Sequence, residues 1–190
     1  MTTLSDLLVP MGSALLRESA APVALAGADV NRDRLCENLV RVLRVNPDAI
    51  AVAAPQIGVP LRVVALRAAS MCQIRALSPD HPDVVIHFNP RITEASTDTE
   101  DAFEGCLSVP RITGVVARPV TVHYTAQLAN SRVVTATLHG RAARVVAHEI
   151  DHLDGILFVD RAPSRSLCTH GVANRAYACD VRSARACLGF

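Results

Sequence analysis

The chain has 190 residues, half of them hydrophobic, enough for one well-buried core and best read as a single domain. Its formal charge of +1 gives no reason to expect a nucleic acid or an anionic membrane as partner. All 19 basic residues are Arg, and with only four Phe, two Tyr and no Trp the core must be aliphatic.

Residues 1–10 lack a basic region followed by an apolar run and cleavage site, so no targeting segment is expected. No apolar run approaches the ~20 residues of a membrane helix, and the cytoplasm is the expected compartment. Cys36, Cys72, Cys106, Cys168, Cys179 and Cys187 are irregularly spaced without a C-x-x-C pair, and read as thiols. Residues 4–23 read as an extended entry segment. Leu35, Leu39, Val42 and Leu43 form a helical stripe over 32–45, with Asn31 or Asp29 as cap and Asn46-Pro47-Asp48 as stop. Residues 50–53 and 61–66 read as short buried strands, 78–83 as a loop, and 84–88 as a strand closing at Asn89-Pro90. His81 and His87 have no partner at ligand spacing and read as ordinary surface or strand residues.

The stretch 93–104 is polar and acidic, and reads as a solvated loop up to Glu104. Residues 120–124 and 134–138 alternate with period two and predict a hairpin about Ala129-Asn130-Ser131. Beyond it, His139-Gly140 leads into a helix that Asp154-Gly155 stops, and His139 is expected to be structural. That helix carries His148-Glu149-Ile150-Asp151-His152. Residues four apart share a helix face, so His148 and His152 can grip one cation together, with Glu149 to one side near its water. Random placement gives this pattern in roughly one chain in a hundred, so a third ligand is needed. Cys106 is the candidate, against the alternative of a small buried apolar residue. Two imidazoles and a thiolate form the three-ligand set of catalytic rather than closed structural sites.

Glu104-Gly105-Cys106-Leu107-Ser108, followed about forty residues later by His148-Glu149-Ile150-Asp151-His152-Leu153-Asp154-Gly155, resembles the peptide deformylase family. Ala49-Ile50-Ala51-Val52-Ala53-Ala54-Pro55-Gln56 resembles that family's remaining motif, normally Gly-x-Gly-Leu-Ala-Ala-x-Gln. Weaker likenesses at Asn89-Pro90, Arg118-Pro119 and Leu157-Phe158-Val159-Asp160-Arg161 extend the match over about residues 8–161. The fold expected is α+β, short and mostly antiparallel strands around a central metal-binding helix, with 1–163 as the catalytic domain. Residues 164–190 form a tail outside the resemblance, with little periodicity.

The resemblance implies a hydrolase that removes the N-formyl group from N-terminal formylmethionine of nascent polypeptides and releases formate, a step of protein biosynthesis. It implies one divalent metal per chain, Fe(II), with Zn, Ni or Co in substituted forms, held by Cys106, His148 and His152. An iron–thiolate site should also be oxygen-sensitive. Glu149 becomes the general base, and the Gln56 amide with the backbone N–H of Leu107 the oxyanion donors. Glu104 is expected beside the site, pairing with an Arg. Ala49, Ile50, Ala51, Arg141, Arg144 and Val145 complete the expected substrate pocket. The partner implied is an N-formylated peptide, with a ribosome contact for a housekeeping enzyme, although no polybasic run supports that contact.

Three departures bear on the substrate. Ala49 and Ala51 replace the two motif glycines, which would be strained at φ > 0. Ala147 stands where Gln is usual. Arg141 occupies a usually apolar position that lines the pocket for the substrate's methionine. The alternative function is therefore a deformylase-like hydrolase for another N-formyl or N-acyl substrate. A general His-Glu-x-x-His protease is disfavoured, because neither Asp154 nor Asp160 sits in the pattern of its further ligand.

Overall fold

The computed structural model describes residues 7–27, 29–68, 72–75 and 83–190. The predicted loop with His81 lies, except for Asp83, outside the described residues. In chain order the elements are α1 (Val30–Val45), β1 (Ala51–Ala53), β2 (Val63–Arg67), α2 (Cys72–Arg75), β3 (Val84–Ala95), β4 (Thr99–Cys106), β5 (Val109–Pro119), β6 (Thr121–Gln127), β7 (Val133–His139), α3 (Gly140–Leu153), α4 (Phe158–Arg161), β8 (Cys168–Thr169), α5 (His170–Tyr177) and α6 (Val181–Leu188). Two antiparallel sheets form, one in the order β1-β2-β3-β6-β7 and one in the order β4-β5-β8. This is the expected α+β architecture, and α3 runs through its centre.

The sequence pattern explains most of these elements. Asp29 caps α1, its carboxylate accepting from the N–H groups of Asn31 and Arg32 at 2.9 and 3.3 Å, and Leu35, Leu39, Val42 and Leu43 bury the stripe against Val52, Val63 and Phe88. On α3, Ala142, Ala143, Val146, Ile150 and Leu153 pack on Val64, Leu66, Val122 and Leu138 of the larger sheet. The small Ala side chains let the helix lie close to the strands, and Ala147, on another face, is buried too. Gln73 on α2 accepts from the His139 N–H at 2.9 Å, which anchors the start of α3. Gly155 stops it at φ +75°, where a Cβ would stand 2.6 Å from the Arg17 carbonyl oxygen.

Two expectations fail. The strand from Val84 does not close at Asn89-Pro90 but continues to Ala95. Asn89 takes φ +48°, and a register shift between Phe88 and Arg91 absorbs the residue without an N–H to give. Its side chain ties the bulge down, bonding Val23 and the Gln127 amide. Likewise the acidic stretch 93–104 is no loop; it is the end of β3, a tight turn and β4. Strand β4 lies at the edge of its sheet, where Glu100 and Asp101 discourage pairing with another chain. The entry segment is not extended throughout, since it carries a 3-10 turn at Ala14–Arg17.

His87 is a strand residue, one of the two readings expected for it, and it does not reach the surface. It is fully buried on β3, its Nδ1 2.8 Å from the Tyr124 hydroxyl, while Nε2 has no partner among the described residues. Burial lowers its pKa from 6.5 to about 4. Between those values the unfolded chain takes up a proton that the folded chain refuses. The stability tied to the neutral ring is complete above pH 6.5 and is lost as pH falls, by about 3 kcal/mol near pH 4. His87→Gln still offers Tyr124 a partner and cannot titrate. Its unfolding free energy in urea should therefore fall less than that of the wild type between about pH 7 and pH 4. Parallel profiles for the two proteins would contradict this.

Candidate metal centre and active site

The three expected ligands converge although they come from two layers. Cys106 ends β4, while His148 and His152 lie one turn apart on α3. A ligand atom from each lies within 4.8 Å of the other two, with Cys106 Sγ 3.2 Å from His152 Nε2. His148 and His152 meet edge to face, ring centroids 4.9 Å apart. His148 Nδ1 is turned to Glu104 Oε2 at 2.9 Å, which leaves Nε2 for the cluster.

The donor set suits a divalent cation. Burial pulls the His148 imidazole down, but hydrogen bonds to Cys106 and Glu104 overcome it and push the pKa up to about 10. A proton is thus strongly held among donors that a cation would hold instead. His152 behaves oppositely, since burial keeps its ring neutral, as a ligand must be. One sulfur and two imidazole nitrogens favour a softer transition-metal cation over Mg or Ca.

Behind the ligands stands a buried charge network. Glu104, only 6% exposed, accepts from Arg118 Nε and Nη2 at 2.9 Å each, from Arg144 Nη1 at 2.8 Å and from His148. Burial would raise the Glu104 carboxyl, but His148 and Arg118 hold it well below the usual carboxylate range. Arg118 also reaches Asp151 Oδ2 at 2.5 Å, and Arg161 clasps both Asp151 oxygens at 2.6 Å. Arg144 further bonds the carbonyls of Val116 and Glu100. The expected pairing of Glu104 with an Arg is present twice over. Motif reasoning assigns Asp151 no role; its place one residue before His152 is the available signal.

Glu149 is 4% exposed, and its Oε2 has no partner among the described residues. Burial raises its pKa to about 7, against the attraction of His148. A carboxylate poised near neutrality can both take and return a proton. Gln56 is buried, 2% exposed. It sits in the 3-10 turn Ala54–Ile57, where its Oε1 accepts from the Ala53 N–H at 2.8 Å and orients the amide. Its Nε2 then points at Cys106 Sγ (3.3 Å) and Ser108 Oγ (3.4 Å).

Both groups open on a cavity of about 670 Å³, within the range of small-molecule sites. Every expected site residue except His152, which lies behind, lines it: Ala49, Ile50, Ala51, Gln56, Glu104, Cys106, Leu107, Arg141, Arg144, Val145, His148 and Glu149. Neither Ala49 nor Ala51 has a positive φ, so replacing the glycines stores no left-handed strain; their methyls simply narrow the wall. Arg111 and His170 line the cavity as well, and motif reasoning missed both. His170 opens α5, its Nε2 3.0 Å from the Ile112 carbonyl oxygen and so close over Gly105 that a Cβ there would meet it at 2.9 Å. The tail is thus ordered, joined to β5 through β8, and part of the site wall.

The chain is similar to known proteins in sequence and in fold. The family model described as polypeptide deformylase matches residues 6–167. Peptide deformylase 1 of Prochlorococcus marinus is 40% identical over 154 residues, 80% of this chain and 77% of that protein. The crystal structure of the Thermotoga maritima peptide deformylase superposes with a TM-score of 0.70 at 31% identity, covering 82% of this chain and 96% of that one. A peptide deformylase of Acinetobacter baumannii bound to Met-Ala-Ser superposes with a TM-score of 0.69 at 30% identity, covering 81% and 96%. Sequence, fold and the convergence of Cys106, His148 and His152 beside Glu149 agree: the chain belongs to the polypeptide deformylase family, metal-dependent hydrolases that remove the N-formyl group from nascent peptides.

Proposed function

We propose that Cys106, His148 and His152 hold one divalent metal, Fe(II) in the cell, and that Glu149, Gln56 and Leu107 carry out the deformylation around it. The observation that carries this reading is the buried Glu149 carboxylate, its Oε2 without a partner among the described residues, beside the Cys106–His148–His152 cluster in one substrate-sized cavity. When bound, the metal supplies Lewis acidity and lowers the pKa of water. Glu149 takes the proton of the attacking water as its oxygen adds to the formyl carbon. The Gln56 amide turns from its long contacts with Cys106 and Ser108 to the developing oxyanion, joined by the Leu107 N–H. The carbon–nitrogen bond then breaks, Glu149 returns the proton to the leaving amine, and formate and a free amino terminus result.

The Met-Ala-Ser bound to the Acinetobacter relative corresponds to such a product, and supports a formylmethionyl peptide as substrate here. Among the described residues no helix is long and apolar enough to cross a membrane. Action in the cytoplasm on chains emerging from the ribosome belongs to the same reading. So does a catalytic unit of residues 1–163, against which 164–190 dock.

The test is formate release from formyl-Met-Ala-Ser by protein purified without oxygen and loaded with Fe(II) or Ni(II). Turnover in the ordinary range of about 1–10³ s⁻¹ is expected, lost on chelation and regained when metal is returned. A chain that binds one metal and releases no formate would overturn the proposal.

A further inference from the structure

The cavity carries two cations that this chemistry does not use. Arg141 stands in the first turn of α3 and Arg111 follows Pro110 on β5; both are exposed and both line the cavity. Neither side chain has a hydrogen bond or ion pair among the described residues. Each stands where its residue type is disfavoured. Arg111 holds φ +68°, a left-handed conformation that L side chains adopt only at a cost. Arg141 places positive charge at the positive end of a helix dipole. Among the described residues no side-chain partner compensates either one.

The remaining charges on the cavity are accounted for. Arg144 is engaged with Glu104, Val116 and Glu100. Glu104 is shared among two arginines and His148, and Glu149 serves the proton transfer. Asp48 is the other acid on the wall, exposed and without a side-chain partner among the described residues. The cavity wall therefore carries two guanidiniums and one carboxylate without partners among the described residues. His170, from a segment beyond the family match, closes the wall next to Arg111 through its bond to Ile112.

We infer that Arg111 and Arg141 form a carboxylate-recognition rim, and that this chain prefers formylated peptides bearing an acidic group beyond the formyl carbon. The inference rests on the deformylase reading and refines it. Guanidinium forks recognise carboxylates bidentately, and a charge pair against a cavity wall is screened less than one in bulk water. Three carboxylates could engage the rim: a side chain on the formylated residue, a side chain on a following residue, or the terminal carboxylate of a short peptide.

Three substrate pairs separate these sources: formyl-Glu-Ala-Ser-amide against formyl-Gln-Ala-Ser-amide, formyl-Met-Glu-Ser-amide against formyl-Met-Gln-Ser-amide, and formyl-Met-Ala-Ser as acid against amide. The metal-loaded enzyme should show kcat/KM at least tenfold higher for the acidic member of one pair at low salt. That ratio should shrink as salt is raised and approach one in the Arg111→Ala/Arg141→Leu double variant. Because the readout is a ratio within each protein, a general loss of activity cancels. If the variant is too slow to assay, calorimetric binding of Met-Glu-Ser-amide against Met-Gln-Ser-amide, or of Met-Ala-Ser as acid against amide, reads the same discrimination. No preference in any pair, or a preference unchanged in the double variant, overturns the inference. Turnover of formyl-Met-Ala-Ser-amide, which does not depend on the rim, shows separately whether the deformylase reading itself stands.

Discussion

Glu149→Gln should keep its fold and its metal while losing about 10²- to 10⁴-fold in deformylation rate, the span expected for a general base. The two properties move apart because of where this carboxylate lies. It is 4% exposed, its Oε2 lacks a partner among the described residues, and burial lifts its pKa to about 7. A group held that way opposes folding whenever it is ionised. An acid whose pKa is raised favours the folded state at low pH and loses that contribution as pH climbs from 4.5 toward 7. Gln, neutral and of the same shape, should leave the thermal midpoint at neutral pH unchanged or higher. Metal content per chain should be unaffected, because Glu149 is not among the converging ligands. Activity within tenfold of wild type would remove Glu149 from the mechanism, and loss of metal would make it structural.

Much of this site could be read from the chain before its fold was known, because the chemistry sits in short spacings. His148 and His152 share a helix face by geometry alone, Cys106 is the candidate for the third ligand they need, and the resemblance strengthens Cys106 and brings in Gln56. What surrounds them was less legible, for physical reasons. Asp151 and Arg161 are ten residues apart, and Arg118 comes from a strand 33 residues before Asp151, so only the tertiary fold shows that both guanidiniums meet one carboxylate. An acidic run such as 93–104 carries the same polarity whether it is a solvated loop or an edge strand, and only pairing with β5 distinguishes them. His87 looked ordinary because a buried imidazole is recognised by its partner, here Tyr124, 37 residues away. Arg111 carries no local sign of its left-handed backbone. The tail shows no long period because its helices are only eight residues each and bury one Ala apiece, Ala173 and Ala184.

Arg118→Met should be the most damaging single change outside the metal ligands, costing about 3–5 kcal/mol of stability. Arg118 is 3% exposed and bridges the two layers that build the site, bonding Glu104 on β4 and Asp151 on α3. Its removal leaves both acids buried with fewer partners. Asp151 keeps Arg161, and Glu104 keeps Arg144 and His148, so the fold should survive at low temperature. The metal should still suffer. Glu104 orients His148 through its Nδ1, and a carboxylate freed from Arg118 no longer holds that ring in one place, a loss worth about 10- to 100-fold in metal affinity. Adding Glu104→Gln separates the two effects. Neutralising Glu104 removes an under-compensated buried charge, so the double variant should be more stable than the sum of the single changes by about 1–3 kcal/mol. Metal affinity should not recover with it, because an amide is a weaker acceptor for the imidazole N–H than a carboxylate. Urea unfolding of the four proteins, paired with competitive metal titration, reads both quantities. Strict additivity in stability would mean that Arg118 and Glu104 act independently and that the layers are joined by packing alone.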